Sequence, residues 1–231
     1  MELHRIIFRV DFPPAFRLLS RWGDILELLN ASKMWTQLSE SAATRQVIAQ
    51  KNDPKADVSY NTVVELSNIN GSFEEYPIKS LETFGTAFRD VNAIVKLGEV
   101  STFLRVGARF LFLEPAKSFD VARRQFSRQI NSKYVAGFEG ELVDLSLNCV
   151  YKEDDQFQKV NVGPITKSEY AQWFTMPDKL QIDNAYLADI DCYTRDYNFK
   201  TFDIRRFIEL AYAVAQKHST ALMKLISGED K

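Results

Sequence analysis

The sequence is poor in the residues that metal centres and disulfide frameworks require. Its 231 residues include only two cysteines and two histidines. Cys149 and Cys192 both lie in predicted strands among apolar neighbours, which favours free buried thiols over a disulfide. His4 and His218 lie at opposite ends of the chain, and neither has a cysteine or histidine at zinc-ligand spacing. We therefore predict no metal site and no cofactor.

Long apolar runs and an excess of charge of one sign are also missing. No stretch approaches the ~18 consecutive apolar residues of a membrane span, and the N-terminus lacks the uninterrupted apolar core of a signal peptide. Lysine and arginine total 29 against 31 aspartate and glutamate, a net charge of −2. The chain as a whole has no basic field for nucleic acid, although a local basic patch is compatible with these totals. We expect a cytoplasmic protein without a membrane segment.

The pattern of apolar residues predicts an α+β fold with an aromatic core, since the chain has 17 phenylalanines and 9 tyrosines. The predicted element order is β-α-β-β-α over about 1–95, the same order again over about 96–180, and a final strand and long helix over 184–227. Because consecutive strands are largely linked by hairpins, we expect a mostly antiparallel sheet with the helices gathered on one face. The whole chain, 1–231, is predicted to form a single domain with two pseudo-repeated halves.

Local signals place individual helices and turns. Ser32 is a predicted N-cap for a helix that runs to Val47. Asn70-Gly71 predicts a hairpin turn, because both residues tolerate positive φ. Residues 166–169, Thr-Lys-Ser-Glu, form a predicted capping box for a short helix.

Charged residues collect on the face of the sheet opposite the predicted core. In "YLADIDCYTRD", residues 186–196, the alternate residues are apolar, so Asp189 and Asp191 point together to the other face. Arg105 and Arg109 of the central strand share that face. We predict a cross-strand ladder in which the arginines pair with the aspartates, each pair contributing roughly 0.2–1 kcal/mol. The other residues assigned to this face are Arg9, Asp11, Asn61, Glu65, Phe103, Leu111, Asp144, Asn148, Leu187 and Tyr193.

A metal site is the first alternative for this face. Asp189 and Asp191, with a third carboxylate from Asp144 or Glu65, offer the hard oxygen ligands that Mg²⁺ prefers. The arginines would then hold phosphate groups. The chain would be a metal-dependent enzyme that acts on phosphodiesters.

Binding is the other alternative for this face. Phe103 and Tyr193 offer rings on which the bases of a single-stranded nucleic acid stack, with the arginines on phosphates. A protein partner or a second copy of the chain is another possible ligand of this face. No phosphate-binding loop, nucleophile elbow or zinc-protease motif occurs in the sequence. We therefore predict a non-enzymatic binding or assembly protein without catalytic residues. The predicted binding residues are Arg105, Arg109, Asp189, Asp191, Phe103 and Tyr193.

Three segments resemble a sporadically distributed family of uncharacterised bacterial proteins. They are "FRVDFPP", "LRVGARFLFLEP" and "LADIDCYTRD". The family's hallmarks are a first strand that ends in proline, a central Arg-x-Gly-x-Arg-aromatic strand and a Leu-x-Asp-Ile-Asp strand before a long helix. The matching residues are Pro13 and Pro14; Arg105, Gly107, Arg109 and Phe110; and Leu187, Asp189, Ile190 and Asp191. An asparagine common after the central aromatic residue is missing here, as is a histidine in the last helix. The resemblance implies an accessory role in a bacterial defence or mobile-element system, and no particular chemistry.

Overall fold

The computed structural model describes residues 1–41, 43–129, 144–197 and 203–227. The strands are β1 Glu2–Asp11, β2 Gln37–Ser41, β3 Gln46–Asp53, β4 Val58–Val64, β5 Asn68–Glu75, β6 Phe103–Pro115, β7 Leu147–Glu153, β8 Gln156–Thr166 and β9 Asn184–Tyr197. The helices are α1 Phe16–Ser20, α2 Trp22–Ala31, α3 Gly85–Leu97, α4 Phe119–Gln129, α5 Lys167–Tyr170 and α6 Ile204–Ser227. Short 3₁₀ segments lie at Leu81–Phe84, Ala171–Trp173 and Pro177–Leu180.

The nine strands of the described residues belong to one sheet, in the order β2-β3-β4-β5-β1-β6-β9-β8-β7. Every pair of neighbouring strands is antiparallel. Both predicted halves of the chain contribute strands to this sheet. The predicted α+β class, with an antiparallel sheet and a long C-terminal helix, is confirmed.

The main core lies between one face of the sheet and the longer helices. Inward side chains of the strands, such as Phe8, Phe110 and Ile190, form one buried cluster with Phe88 of α3 and Ile208 of α6. The helix α6 lies against β6 and β9, while α4 lies against β8 and β9. The longer helices therefore pack on one face of the sheet, as predicted, and cover its central strands.

A second, smaller core covers part of the opposite face. Leu111 and Leu187, which we expected on an open surface, are buried there against Tyr170 of α5 and Phe174. That expectation was wrong because the 3₁₀ segments after α5 fold back over one end of β6 and β9. The other end of this face remains open.

An ion pair attaches these 3₁₀ segments to the sheet. Glu74 is fully buried and accepts hydrogen bonds from the backbone N–H groups of Thr175 and Met176, at 2.8 and 3.2 Å. Arg5 lies 3.8 Å from Glu74 and donates to the carbonyl of Trp173. Burial raises the pKa of Glu74, while the two N–H groups and Arg5 lower it.

The first half of the chain departs from its predicted order. In place of the helix predicted from Ser32 to Val47, the chain forms the hairpin of β2 and β3. Ser32 instead ends α2, where its hydroxyl donates to the carbonyl of Leu29 at 2.8 Å. Val47 and Ala49 point into the main core, and β3 pairs with β4. Pairing with β4 outweighs the weak helical spacing of this segment. The described elements of the second half, β6-α4-β7-β8-α5, follow the predicted order.

The predicted hairpin of β4 and β5 exists, but its turn was placed wrongly. The turn runs from Glu65 to Asn68, and Asn70-Gly71 lies inside β5. A Cβ at Gly71 would lie 2.5 Å from the Asn61 carbonyl oxygen and 2.6 Å from a ring carbon of Phe8. Glycine is needed here for the close approach of Phe8, because any side chain would displace that ring.

We expect the substitution Gly71→Ala to lower the free energy of unfolding by about 1–3 kcal/mol, since overpacking a buried site costs that much. Urea denaturation measures the change. The control is Gly23→Ala in α2, where no atom lies within 4 Å of the added Cβ. That variant should match the wild type or gain up to about 1 kcal/mol. Equal stability of the two variants would contradict the packing role of Gly71.

Candidate functional site

The predicted arginine–aspartate ladder is present at the centre of the sheet. In the register of β6 and β9, Arg109 lies opposite Asp191. Its guanidinium nevertheless binds Asp189 with two hydrogen bonds, Nε to Oδ1 at 2.6 Å and Nη2 to Oδ2 at 2.7 Å. Asp189 is only 8% exposed, and its hydrogen bonds with Arg109 raise the pKa of that arginine. Two parallel bonds of this kind are the strongest form of an arginine–carboxylate pair.

The second pair of the ladder runs along the strands. Arg105 donates from Nη2 to Oδ2 of Asp191 at 2.8 Å. To reach Asp191 its side chain passes over Gly107, where an added Cβ would lie 3.4 Å from the Arg105 Nε. Burial raises the pKa of Asp191, while Arg105 and Arg109 lower it. Both predicted ion pairs are confirmed, and both predicted carboxylates are engaged by arginine.

Two aromatic rings continue the ladder towards β7. The rings of Tyr193 and Phe157 are stacked, with centroids 5.2 Å apart and planes 9° from parallel. The Arg105 guanidinium carbon lies 4.6 Å from the Tyr193 centroid, and the Lys152 Nζ lies 5.6 Å from the Phe157 centroid. We call Arg105, Tyr193, Phe157 and Lys152 the cation–aromatic row. The Arg195 guanidinium carbon lies 5.4 Å from the Tyr193 centroid and 5.7 Å from the Phe157 centroid. The faces of the two rings are thus covered by one another and by cations.

Three exposed cations lie around this row, and the exposed carboxylates of Glu153, Asp154 and Asp155 follow Lys152 at the turn between β7 and β8. Lys152, Lys159 and Arg195 are exposed, and none of them has a carboxylate within 4 Å among the residues that the structure describes. Lys159 lies opposite Asp191 in the register of β8 and β9. It also lines a cavity of about 140 Å³ with Arg109, Asn161 and the two ladder aspartates, large enough for a few water molecules.

The remaining residues predicted for a site lie elsewhere. Phe103 is 1% exposed and belongs to the main core, so it offers no surface for stacking. Glu65 accepts a hydrogen bond from Asn68 at 2.6 Å, in the turn after β4. Because β5, β1 and β6 separate β4 from β9, the lateral spacing of these strands is roughly 19 Å. Asp144 accepts from the backbone N–H of Leu145 at 2.7 Å. In the described parts of the chain, no three or more histidine, cysteine, aspartate or glutamate side chains are grouped to hold a metal.

Sequence reasoning missed Phe157, Lys159, Lys152 and Arg195 as residues of this face. The sequence does indicate the direction of Phe157 and Lys159. They alternate with Val160 and Val162, the inward residues of the same predicted strand, and therefore point outward. Their proximity to Tyr193 depends on the pairing of β8 with β9, which periodicity alone does not reveal.

In the described residues, these features define an α+β protein with a nine-stranded antiparallel sheet. One face of that sheet carries an arginine–aspartate ladder and a cation–aromatic row. No family model matches the sequence, and no curated protein matches it. Within the described ranges, no helix has both the length and the apolar character needed to cross a membrane.

We expect millimolar Mg²⁺ or Mn²⁺ to leave the thermal midpoint of unfolding unchanged relative to a buffer of equal ionic strength. Both aspartates already have arginine partners, and only a ligand that binds the folded state stabilises it. Thermal-shift assays of the wild type and Asp189→Asn make the comparison. A saturable rise in the wild type that Asp189→Asn abolishes would establish a metal site instead.

Proposed function

We propose that the protein is a non-enzymatic binding or assembly protein, and that its binding surface is the open sheet area over β9, β8 and β7. One observation carries the proposal. Arginines neutralise Asp189 and Asp191, whereas Lys152, Lys159 and Arg195 have no carboxylate within 4 Å in the described structure. The area around Lys159 and Arg195 therefore attracts acidic groups, although the chain has a net charge of −2 and Glu153, Asp154 and Asp155 lie exposed at the nearby turn.

An acidic protein segment is the partner that fits this surface best. Nucleobases bind such sheets by stacking on the faces of aromatic rings. The faces of Tyr193 and Phe157 are instead covered by each other and by cations. Carboxylate groups need no free ring face, and arginine beside tyrosine is typical of the residues that dominate protein interfaces.

Binding is favoured over the metal-dependent enzyme for a similar reason. Each ladder aspartate is engaged by a guanidinium group. A metal ion would have to displace both arginines and would leave their charges beside its own. The ladder therefore supports a structural role for the two aspartates.

The cellular setting is part of the proposal. We place the protein in the bacterial cytoplasm, as an accessory component of a defence or mobile-element system. The support for this setting is the resemblance of the strand motifs of β1, β6 and β9 to a sporadically distributed bacterial family. Free cysteines, Cys149 and Cys192, agree with a reducing compartment.

The test is co-purification with the products of adjacent genes. We expect the double variant Lys159→Glu/Arg195→Glu to lose the co-purified partner by about tenfold or more, since reversing interface charges costs at least about 1.4 kcal/mol. The matched control reverses Lys217 and Lys224, two exposed lysines of α6. That control changes the net charge equally and should retain the partner. Equal retention by both variants, or a wild type without any partner, would contradict the proposal.

A single-stranded oligonucleotide provides the second arm of the test. Fluorescence polarisation at several salt concentrations should show no binding that depends on Lys159 and Arg195. Suppose instead that the oligonucleotide binds in a salt-sensitive way, that Lys159→Glu/Arg195→Glu weakens this binding, and that reversal of Lys217 and Lys224 does not. The partner would then be a nucleic acid and not a protein.

A further inference from the structure

The edge strand β7 exposes an unusual amount of apolar surface. Leu147, Val150 and Tyr151 are 37, 62 and 49% exposed, and they are three of the six large exposed hydrophobic residues in the described structure. Among the described strands, β7 pairs only with β8. Natural edge strands are normally short or polar, because an apolar edge is a template for pairing with another chain.

The opposite edge of the sheet has the usual protection. The strand β2 has five residues, Gln37–Ser41, and none of its side chains is a large exposed hydrophobic residue. The apolar character of β7 is thus a property of one edge and not of sheet edges in this protein generally.

We infer that two copies of this chain associate through β7, whose two strands pair antiparallel around a two-fold axis at Val150. The sheets of the two copies then form one continuous sheet. This arrangement satisfies the outward backbone N–H and C=O groups of both edges and buries both copies of Val150 against each other.

The sequence of β7 is complementary to itself in this register. Val150 lies opposite the partner's Val150, and Cys149 lies opposite Tyr151. Lys152 lies opposite Asn148, whose side-chain oxygen accepts from an ammonium group, and Glu153 lies opposite Leu147. No two like charges are opposed. A two-fold axis at Cys149 would instead leave Lys152 and Glu153 beyond the end of the partner's strand.

Charge gives an acidic segment no advantage over a second copy at this edge, so the self-complementary register decides for the second copy. The strand carries one cation, Lys152, and one anion, Glu153, so its own sequence is as well matched to it as an acidic one. A pairing of seven residues buries less surface than a standard stable interface, so we expect a weak dimer with a dissociation constant of about 10–100 µM.

This association uses the backbone edge of β7, whereas the acidic partner is proposed on the face of the sheet, where Lys159 and Arg195 lie on β8 and β9. The assay below contains no other molecule, and Lys159→Glu/Arg195→Glu should still dimerise. Failure of one proposal is therefore distinguishable from failure of the other.

Sedimentation equilibrium at protein concentrations up to several hundred µM, a range that brackets the expected constant, tests the association. We expect the wild type to dimerise and Val150→Lys to remain monomeric, because a lysine pair would face itself across the axis. The control is Ser39→Lys on the exposed edge β2, which should dimerise as the wild type does. Val150 is mostly exposed, and matching thermal midpoints would show that its substitution leaves the fold intact. A wild type that stays monomeric throughout this range overturns the inference.

A disulfide tests the register. In the variant Cys149→Ser/Val150→Cys, the two Val150 positions face each other with Cα atoms about 4.5–5.5 Å apart, within the range for a disulfide. Diamide takes two electrons and two protons from the paired thiols as the S–S bond forms, and a covalent dimer should appear on a non-reducing gel. In the wild type, the Cys149 residues are diagonal neighbours about 7–8 Å apart and should not cross-link. Cys192 is buried, and burial raises the pKa of its thiol to about 12. Cross-linking of the wild type but not of the variant overturns the proposed axis.

Discussion

The paired hydrogen bonds between Arg109 and Asp189 are the interaction on which the open face of the sheet depends. The aspartate lies on β9 with little exposure, and the arginine reaches it diagonally from β6. Removing either side chain would leave the other charge without its partner in a partly desolvated place, which costs far more than an exposed ion pair gains. The pair therefore favours this register of the central strands and neutralises a carboxylate that is largely buried.

The second arginine extends this order to the edge of the sheet. Because position 107 is glycine, Arg105 can lie along its own strand and reach both Asp191 and the ring of Tyr193. Tyr193 in turn stacks on Phe157, next to Lys152 of β7. Arg105, Arg195 and Lys152 thus lie against aromatic rings, and for the binding role that we propose this order would lower the entropic cost of association.

The sequence predicted the features that depend on strand periodicity. Alternation alone placed Arg105, Arg109, Asp189 and Asp191 on one face, and the structure pairs them as expected. The features that failed depend on contacts distant in sequence. Asn70-Gly71 looks like a turn, but Gly71 is required by the ring of Phe8 on another strand. The segment from Ser32 to Val47 has helical spacing, yet pairing with β4 makes it a hairpin. Leu111 and Leu187 become buried only because the chain after α5 folds back over them. Alternation with Val160 and Val162 places Phe157 on this face, but its contact with Tyr193 depends on the pairing of β8 with β9, which periodicity does not reveal.

The most direct test of the central claim is a double-mutant cycle on the Arg109–Asp189 pair. The free energy of unfolding in urea is measured for the wild type, Arg109→Met, Asp189→Asn and the double variant. If the pair organises the sheet as described, each single variant is destabilised and the coupling energy is about 1.5–3 kcal/mol. A coupling energy within about 0.5 kcal/mol of zero, the range found for independent sites, would contradict the account.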